Sequence, residues 1–123
     1  MKLFDYRREY TSGELNEADM LTEPLAQFEH WLKHAVEQGL QDATAMVLST
    51  VNVKGQPNAR NVLLKNIEPE GLVFFTSLAS QKAQEIKHNN KVCLLFNWLA
   101  IDRQVKIQGI AEPLPAEIAK NYH

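Results

Sequence analysis

The sequence predicts a mainly β protein with peripheral helices, an α+β fold in which an antiparallel sheet closes into a barrel. Five short segments rich in β-branched and aromatic residues follow one another from Ala45 onward. Most of them are joined by connections of hairpin length, which favours antiparallel pairing. The 123 residues, 45% hydrophobic and 23% charged, suit a single domain over residues 1–123. We therefore expect one barrel domain with helices packed outside it or across its ends.

The N-terminal part predicts an arm followed by a helix. Residues 1–21 are polar and mixed in charge, which is typical of an arm that becomes ordered where something docks on it. Thr22 is predicted to cap the helix, with Glu23 and Pro24 in its first turn and a stop near Gly39. One apolar face is expected to pack on the sheet. It is formed by Leu25, Phe28, Leu32, Ala35 and Val36.

The rest of the chain predicts strands with one short helix among them. The turn at 54–57 joins the first two strands, and Ser80 is expected to cap a helix that runs to about Lys87. Residues 115–123 look like the first turns of a further helix with no terminating signal, which predicts that the chain is the N-terminal part of a longer one. The strands are predicted at 45–51, about 59–67, 72–76, 91–98 and 103–111.

Charge and composition exclude several classes of function. A net charge of −2 argues against a nucleic-acid partner, which normally requires a basic face. No apolar run approaches the ~18 residues of a membrane span, and the N-terminus lacks a signal-peptide pattern. Cys93 is the only cysteine, so a disulfide within the chain is impossible and a reducing compartment is favoured. We expect a cytoplasmic protein with neither nucleic-acid nor membrane partners.

Three cations near strand and helix ends are candidates for binding a phosphate. An Arg60 fork grips two oxygens at once, while Lys65 and Lys82 add mobile point charges. Ser80 adds a hydroxyl and the start of a helix, where backbone donors favour an anion. Taken singly, each of these residues is more often a solvated surface residue than a phosphate ligand. In a regular strand Arg60 and Lys65 face opposite sides, so both serve one site only through a bulge or twist, a backbone contact, or ligands on both sides.

Other polar residues have two interpretations each. Gln104 lies on a strand that alternates polar and apolar side chains, so it faces either water or a planar ligand that needs one donor and one acceptor. Arg7, Arg8 and Tyr10 belong either to a solvated arm or to a cover that closes over a phosphorylated substrate. No motif of a hydrolase or of a metal site is present. If the protein is an enzyme, a cofactor supplies the chemistry.

Several short motifs in a fixed order resemble one known family over nearly the whole chain. They are Arg7-Arg8-Glu9-Tyr10, Gly55-Gln56-Pro57, Arg60 to Lys65, Phe75-Thr76, Ser80 with Lys82, and Arg103-Gln104-Val105. The chain thereby resembles pyridoxamine 5′-phosphate oxidase. The resemblance implies an FMN-binding split β-barrel that forms a homodimer with two FMN molecules at the subunit interface. It also implies a hydride transfer from pyridoxine or pyridoxamine 5′-phosphate to the flavin, with electrons passing to oxygen, as part of vitamin B6 metabolism.

The resemblance also assigns roles to residues, and all of them are positioning roles rather than catalytic ones. Gln104 is implied to reach the flavin from the other subunit, and Gln81 stands where the family commonly has Arg, which predicts weaker FMN binding. The substrate contacts implied are Lys65, Arg7, Arg8, Tyr10 and Tyr122. The FMN contacts implied are Arg60, Asn61, Val62, Leu63, Leu64, Lys65, Phe75, Thr76, Ser80, Gln81, Lys82 and Gln104.

Two alternatives stay open on the sequence. One is a related split-barrel flavin reductase that acts on another substrate. The other is a flavin-binding or assembly module without catalysis, favoured by Gln81 and by the lack of any counterpart to the family's later segments. Activity of the 123-residue chain by itself is therefore not predicted.

Overall fold

The computed structural model describes residues 23–115 and residue 117, and it contains one antiparallel five-stranded sheet with two α-helices. The sheet has the order β3-β2-β1-β4-β5 and curls into a half-barrel, which confirms the predicted fold class. A single 3₁₀ turn, Leu99–Ile101, connects β4 to β5. The element bounds are α1 Pro24–Glu37, β1 Ala45–Val51, β2 Pro57–Glu68, β3 Gly71–Phe74, α2 Gln81–His88, β4 Lys91–Trp98 and β5 Arg103–Ile110.

The start of α1 differs from the prediction, whereas its end agrees. The N-cap residue is Glu23, in extended conformation and without a side-chain capping bond, so the prediction that Thr22 caps this helix is wrong. Pro24 takes the first helical position, where its lack of an N–H costs nothing. At the other end Gly39 has φ +77°, a conformation that glycine adopts without strain.

The second and third strands also differ from their predicted bounds. β2 begins at Pro57, which pairs with Val51, because the first residue of a strand tolerates the missing donor of proline. β3 ends at Phe74, two residues earlier than predicted. A bulge at Lys65 separates the pairs Asn66–Val73 and Leu64–Phe74, and the latter is the last pair of β3. The residues after Phe74 lie in the connection to α2.

The core lies on one side of the sheet, which we call the inner face. Met46 and Leu48 of β1 and Phe96 and Trp98 of β4 are buried there beneath Phe28 of α1. The ring of Phe96 lies 4.8 Å from that of Phe28 and 5.7 Å from that of Trp98, centroid to centroid. The Trp98 Nε1 donates to the Ala43 carbonyl at 2.9 Å, which satisfies the polar atom that its burial would otherwise strand.

The opposite side of the sheet, the outer face, remains half-exposed. Strand alternation directs Ala45, Val47 and Ser49 of β1 and Cys93 and Leu95 of β4 toward it, while their neighbours are buried in the core. Both helices pack on the inner face, so within residues 23–115 no helix covers this surface. The sheet therefore presents a mostly apolar central patch with polar margins.

None of the helices in the described part of the chain has the length and apolar character of a membrane span.

Candidate functional site

The first turn of α2 gathers hydroxyl and backbone donors. Ser80 caps the helix, its Oγ accepting from the Ala83 N–H at 3.2 Å, and it lies 3.0 Å from the Thr76 hydroxyl. Helix geometry leaves the N–H groups of Gln81 and Lys82 without intrahelical acceptors. The helix dipole adds partial positive charge at the same point. The predicted cap is confirmed, and the arrangement suits an anion.

Arg60 lies beside this helix, on the inner face of β2. Its Nη1 donates to the Leu48 carbonyl at 3.0 Å and to the Thr50 hydroxyl at 2.7 Å. Its Nη2 donates to Glu85 Oε2 at 3.3 Å, and the Arg60 side chain is 23% exposed. The guanidinium is therefore partly buried and tied to α2 through a carboxylate.

Glu85 of α2 is 5% exposed and collects donors from both the sheet and its own helix. The Thr50 hydroxyl donates to Oε2, and the Asn58 amide donates to Oε1 at 2.5 Å. Arg60 donates to Oε2, and the Gln81 amide donates to Oε1 at 3.4 Å. The hydrogen bond from Thr50, followed by those from Asn58 and Arg60, lowers the pKa of Glu85 below its ordinary value, although burial acts in the opposite direction.

Glu85 is not among the residues that the sequence predicts for the site. Thr50 and Asn58 are paired across β1 and β2, and Arg60, two residues along β2, shares their face. Three donors turned toward a core require a buried acceptor. The carboxylate of Glu85, on the helix packed against these donors, is that acceptor. The register of β1 and β2 therefore predicts that a buried acceptor lies opposite Thr50, Asn58 and Arg60.

The depressed pKa of Glu85 has a consequence for stability at acid pH. The stabilisation that its ionised form provides is complete above the ordinary value of 4.5 and is lost as pH falls through the lower folded-state value. We expect the unfolding free energy of the parent chain to approach that of Glu85→Gln as pH falls from 4.5 through the lower folded-state value. Urea unfolding of both proteins across this range measures the difference. A difference that stays constant with pH would contradict the assignment.

Lys65 and Phe75 form a second group, on the outer side of β2. The Lys65 ammonium lies 5.9 Å from the centroid of the Phe75 ring, and Phe75 is 49% exposed. Asn61 and Leu63 face the same side as Lys65, whereas Val62 and Leu64 face inward with Arg60. The bulge at Lys65 does not bring it to the face of Arg60. The structure therefore places the two cations on opposite faces of one strand.

Gln104 lies apart from the candidate residues on β2. It lies on the outer face of the edge strand β5, opposite Asn97 of β4. Continuing this row across the sheet leads to Ala45 and then Leu63. Three strand spacings separate Leu63 from Gln104, about 14 Å. One copy of the chain does not bring Gln104 to the group around Lys65.

Some of the predicted site residues lie outside the part of the chain that the structure describes. They are Arg7, Arg8, Tyr10 and Tyr122, together with the arm of residues 1–21 and most of the predicted C-terminal helix.

An open groove of about 540 Å³ runs between the ends of β1, β4 and β5 and includes Cys93. None of the predicted cofactor residues lines it. Within residues 23–115 and 117, no cluster of three or more histidine, cysteine or acidic side chains has the arrangement of a metal site.

Comparison with known proteins points to one family. A family model described as pyridoxamine 5′-phosphate oxidase matches residues 32–123. A pyridoxine/pyridoxamine 5′-phosphate oxidase of Pseudoalteromonas translucida is 51% identical over 122 residues, which cover 99% of this chain and 58% of the relative. A protein of the same name from Vibrio cholerae is 50% identical over 116 residues, 94% of this chain and 55% of the relative. The chain thus spans little more than half the length of these relatives.

Solved structures share the fold. PhzG from Burkholderia lata, solved with tetrahydrophenazine-1-carboxylic acid, superposes with a TM-score of 0.84 at 24% identity, covering 90% of this chain and 56% of that one. An FMN-binding protein from Nostoc punctiforme, described as related to pyridoxamine 5′-phosphate oxidase, gives a TM-score of 0.64 at 22% identity, covering 74% of this chain and 47% of that one. At these identities the likeness establishes the fold.

Proposed function

Because the chain belongs to the pyridoxamine 5′-phosphate oxidase family, we propose that it forms the FMN-binding part of an oxidase that converts pyridoxine or pyridoxamine 5′-phosphate to pyridoxal 5′-phosphate, with oxygen as the electron acceptor. The observation that carries the proposal is the set of donors gathered at the start of α2, with Arg60 beside it. A cytoplasmic location is part of the same proposal and is supported by the single cysteine of the chain.

The donor set fits the phosphate of FMN. Ser80 and Thr76 offer hydroxyls, the helix start offers two N–H groups, and Lys82 offers an ammonium group. Arg60 adds a fork whose charge is partly offset by Glu85. A dianion needs several donors and at least one cation, and these residues provide both.

The chain's own residues would bind and orient rather than act as acids or bases. FMN, when bound, supplies acceptance of a hydride. Ser80, Lys82 and Arg60 would hold its phosphate, while the half-exposed Phe75, which follows the end of β3 and precedes Thr76, offers apolar surface for the ring. Alignment of the reacting atoms is the contribution that such contacts make to the rate.

A homodimer and a phosphorylated B6 vitamer complete the proposal. The half-exposed apolar outer face is suited to cover by a second copy. Gln104 of a second copy would then be able to approach the Lys65 group, which its own chain does not allow. The exposed Lys65 ammonium is available for the vitamer phosphate.

A flavin-binding module without oxidase activity is the second candidate. Gln81 favours it, because its amide is engaged with Glu85 and brings no charge to a phosphate. Both candidates bind FMN, and only the first oxidises pyridoxine 5′-phosphate. An oxidation assay on the protein encoded by the complete gene separates them, since flavin binding without turnover supports the module.

Titration of the chain with FMN tests the proposal, and Lys82→Ala locates the site. We expect the parent chain to quench FMN fluorescence with a dissociation constant in the micromolar range or below. Loss of the Lys82 ammonium is expected to weaken binding by about tenfold, because a charge-assisted contact to phosphate disappears.

Lys87→Ala is the matched control, since Lys87 is an exposed lysine in the last turn of the same helix. It is expected to bind FMN like the parent. No FMN binding by the folded parent chain would refute the proposal. Equal weakening in the two lysine variants would move the phosphate away from the start of α2.

A further inference from the structure

Arg60 is held at three points by groups that no sequence motif marked. Nη1 donates to Leu48 O and Thr50 Oγ1, and Nη2 donates to Glu85 Oε2. A guanidinium carries five N–H donors, and none of the described residues accepts from the remaining Nε–H and second Nη2–H. Nε and Nη2 form one edge of the planar fork. That edge binds two oxygens of a phosphate at once.

The groups that hold Arg60 are themselves fixed. Thr50 is buried, and its single hydroxyl hydrogen is donated to Glu85, so an oxygen lone pair is left to face Arg60. Asn58 donates to the other Glu85 oxygen at 2.5 Å. Rotation of the Arg60 guanidinium would break hydrogen bonds to buried partners, which is costly. The orientation of the fork is therefore set before any ligand binds.

We infer that Thr50 and Glu85 are positioning residues of the proposed cofactor site, which hold Arg60 so that its Nε–Nη2 edge is presented to the phosphate of FMN. This inference rests on the proposed function. Both residues act through Arg60 rather than by touching the ligand. A side chain ordered in advance avoids the loss of conformational entropy that binding would otherwise impose.

Two possible roles of Glu85 predict opposite changes in FMN affinity for Glu85→Gln. One role is the effect of its negative charge on the phosphate, and the other is the positioning of Arg60. Removal of a carboxylate near an anion site tightens FMN binding if only charge matters. Loss of positioning weakens it, because a glutamine amide presents its own N–H groups to donors that need an acceptor. Thr50→Val separates the two effects further, since it removes the hydroxyl with no change of charge and little change of volume.

The test is a set of FMN titrations on the full chain, followed by fluorescence quenching at neutral pH. Thr50→Val and Glu85→Gln are each expected to weaken FMN binding by about three- to tenfold, while Thr50→Ser, which keeps the hydroxyl, binds like the parent. Both losses are expected to vanish in an Arg60→Ala background, as a double-mutant cycle shows for residues that act through one another. Riboflavin, which lacks the phosphate, is expected to bind all these proteins equally.

Several outcomes would overturn the inference. These are parent-like FMN binding by Thr50→Val, tighter binding by Glu85→Gln, the same losses in the Arg60→Ala background, or equal losses with riboflavin. Circular dichroism identifies the folded variants, and if Glu85→Gln does not fold the two Thr50 variants decide. Absence of FMN binding by the parent refutes the proposed function together with this inference. Binding by the parent with unchanged variants overturns the inference alone.

Discussion

Replacement of Phe96 by alanine is expected to lower the free energy of unfolding by about 3–5 kcal/mol. Phe96 is 0% exposed and contacts both Phe28 and Trp98 through its ring. Its removal therefore loses apolar burial and leaves a cavity between α1 and the inner face of the sheet. The total stability of a domain this size is about 5–15 kcal/mol, so the loss is a large share. Urea unfolding followed by circular dichroism measures it.

Phe75→Ala is the matched control, because it deletes the same side chain from a half-exposed position outside the core. A stability loss below about 1 kcal/mol is expected there. The proposed role of Phe75 beside the flavin predicts weaker FMN binding instead. Equal destabilisation by the two substitutions would show that the core is not centred on the rings packed around Phe96.

Local patterns were sufficient to predict most of the fold. The predicted bounds of β4, 91–98, agree with the structure, because the apolar run 92–96 follows the turn residues Asn89 and Asn90. The sequence predicts Ser80 as a cap because serine is preferred immediately before the first turn of a helix, where its hydroxyl accepts from a backbone N–H. The errors were at boundaries set by pairing. β3 ends at the pair Leu64–Phe74, just past the bulge at Lys65, and neither strand alone reveals where pairing shifts or stops. The family resemblance is confirmed by the match over residues 32–123.

The sequence predicts which residues belong to the candidate site from their chemical types, but it does not predict the contacts between them. Arg60, Ser80 and Lys82 were selected because they suit a phosphate, and the structure brings Arg60 and Ser80 to the same helix. The link between Arg60 and Glu85 spans 25 positions in sequence. It depends on how α2 docks against β1 and β2, which no periodicity expresses. The roles of the individual residues in binding FMN stay predictions until the titrations are made.

The placement of the candidate residues on opposite faces of β2 limits which of them can contact one ligand within a single copy of the chain. Arg60 and Lys65 lie on different sides of β2, and Gln104 lies on the far edge strand. Side chains on two faces of a strand contact one ligand only where the strand ends or where another chain completes the site. A second copy docked on the outer face would therefore be needed to complete the proposed cofactor site with its Gln104.

Leu95→Glu is expected to convert the proposed dimer into a monomer at micromolar concentration. Leu95 lies beside Val47 at the centre of the outer face, and a carboxylate buried there without a partner would cost several kcal/mol. Because Leu95 is half-exposed in the single chain, the monomer is expected to keep its fold and its circular dichroism spectrum. FMN affinity is expected to fall as well, since Gln104 of the second copy is lost. Sedimentation velocity measures the first effect and FMN titration the second.

Val36→Glu is the control for this change. Val36 is 56% exposed on α1, so the prediction that it packs on the sheet is wrong, and the substitution puts the same carboxylate in place of an exposed apolar residue away from the outer face. It is expected to remain dimeric and to bind FMN like the parent. A parent chain that sediments as a monomer would remove the dimer from the proposal. A dimer that survives Leu95→Glu would place the interface elsewhere, and Gln104 would then need another route to the flavin. Loss of FMN binding without loss of the dimer would instead make the outer face part of the ligand site, so the two measurements together decide what this face does.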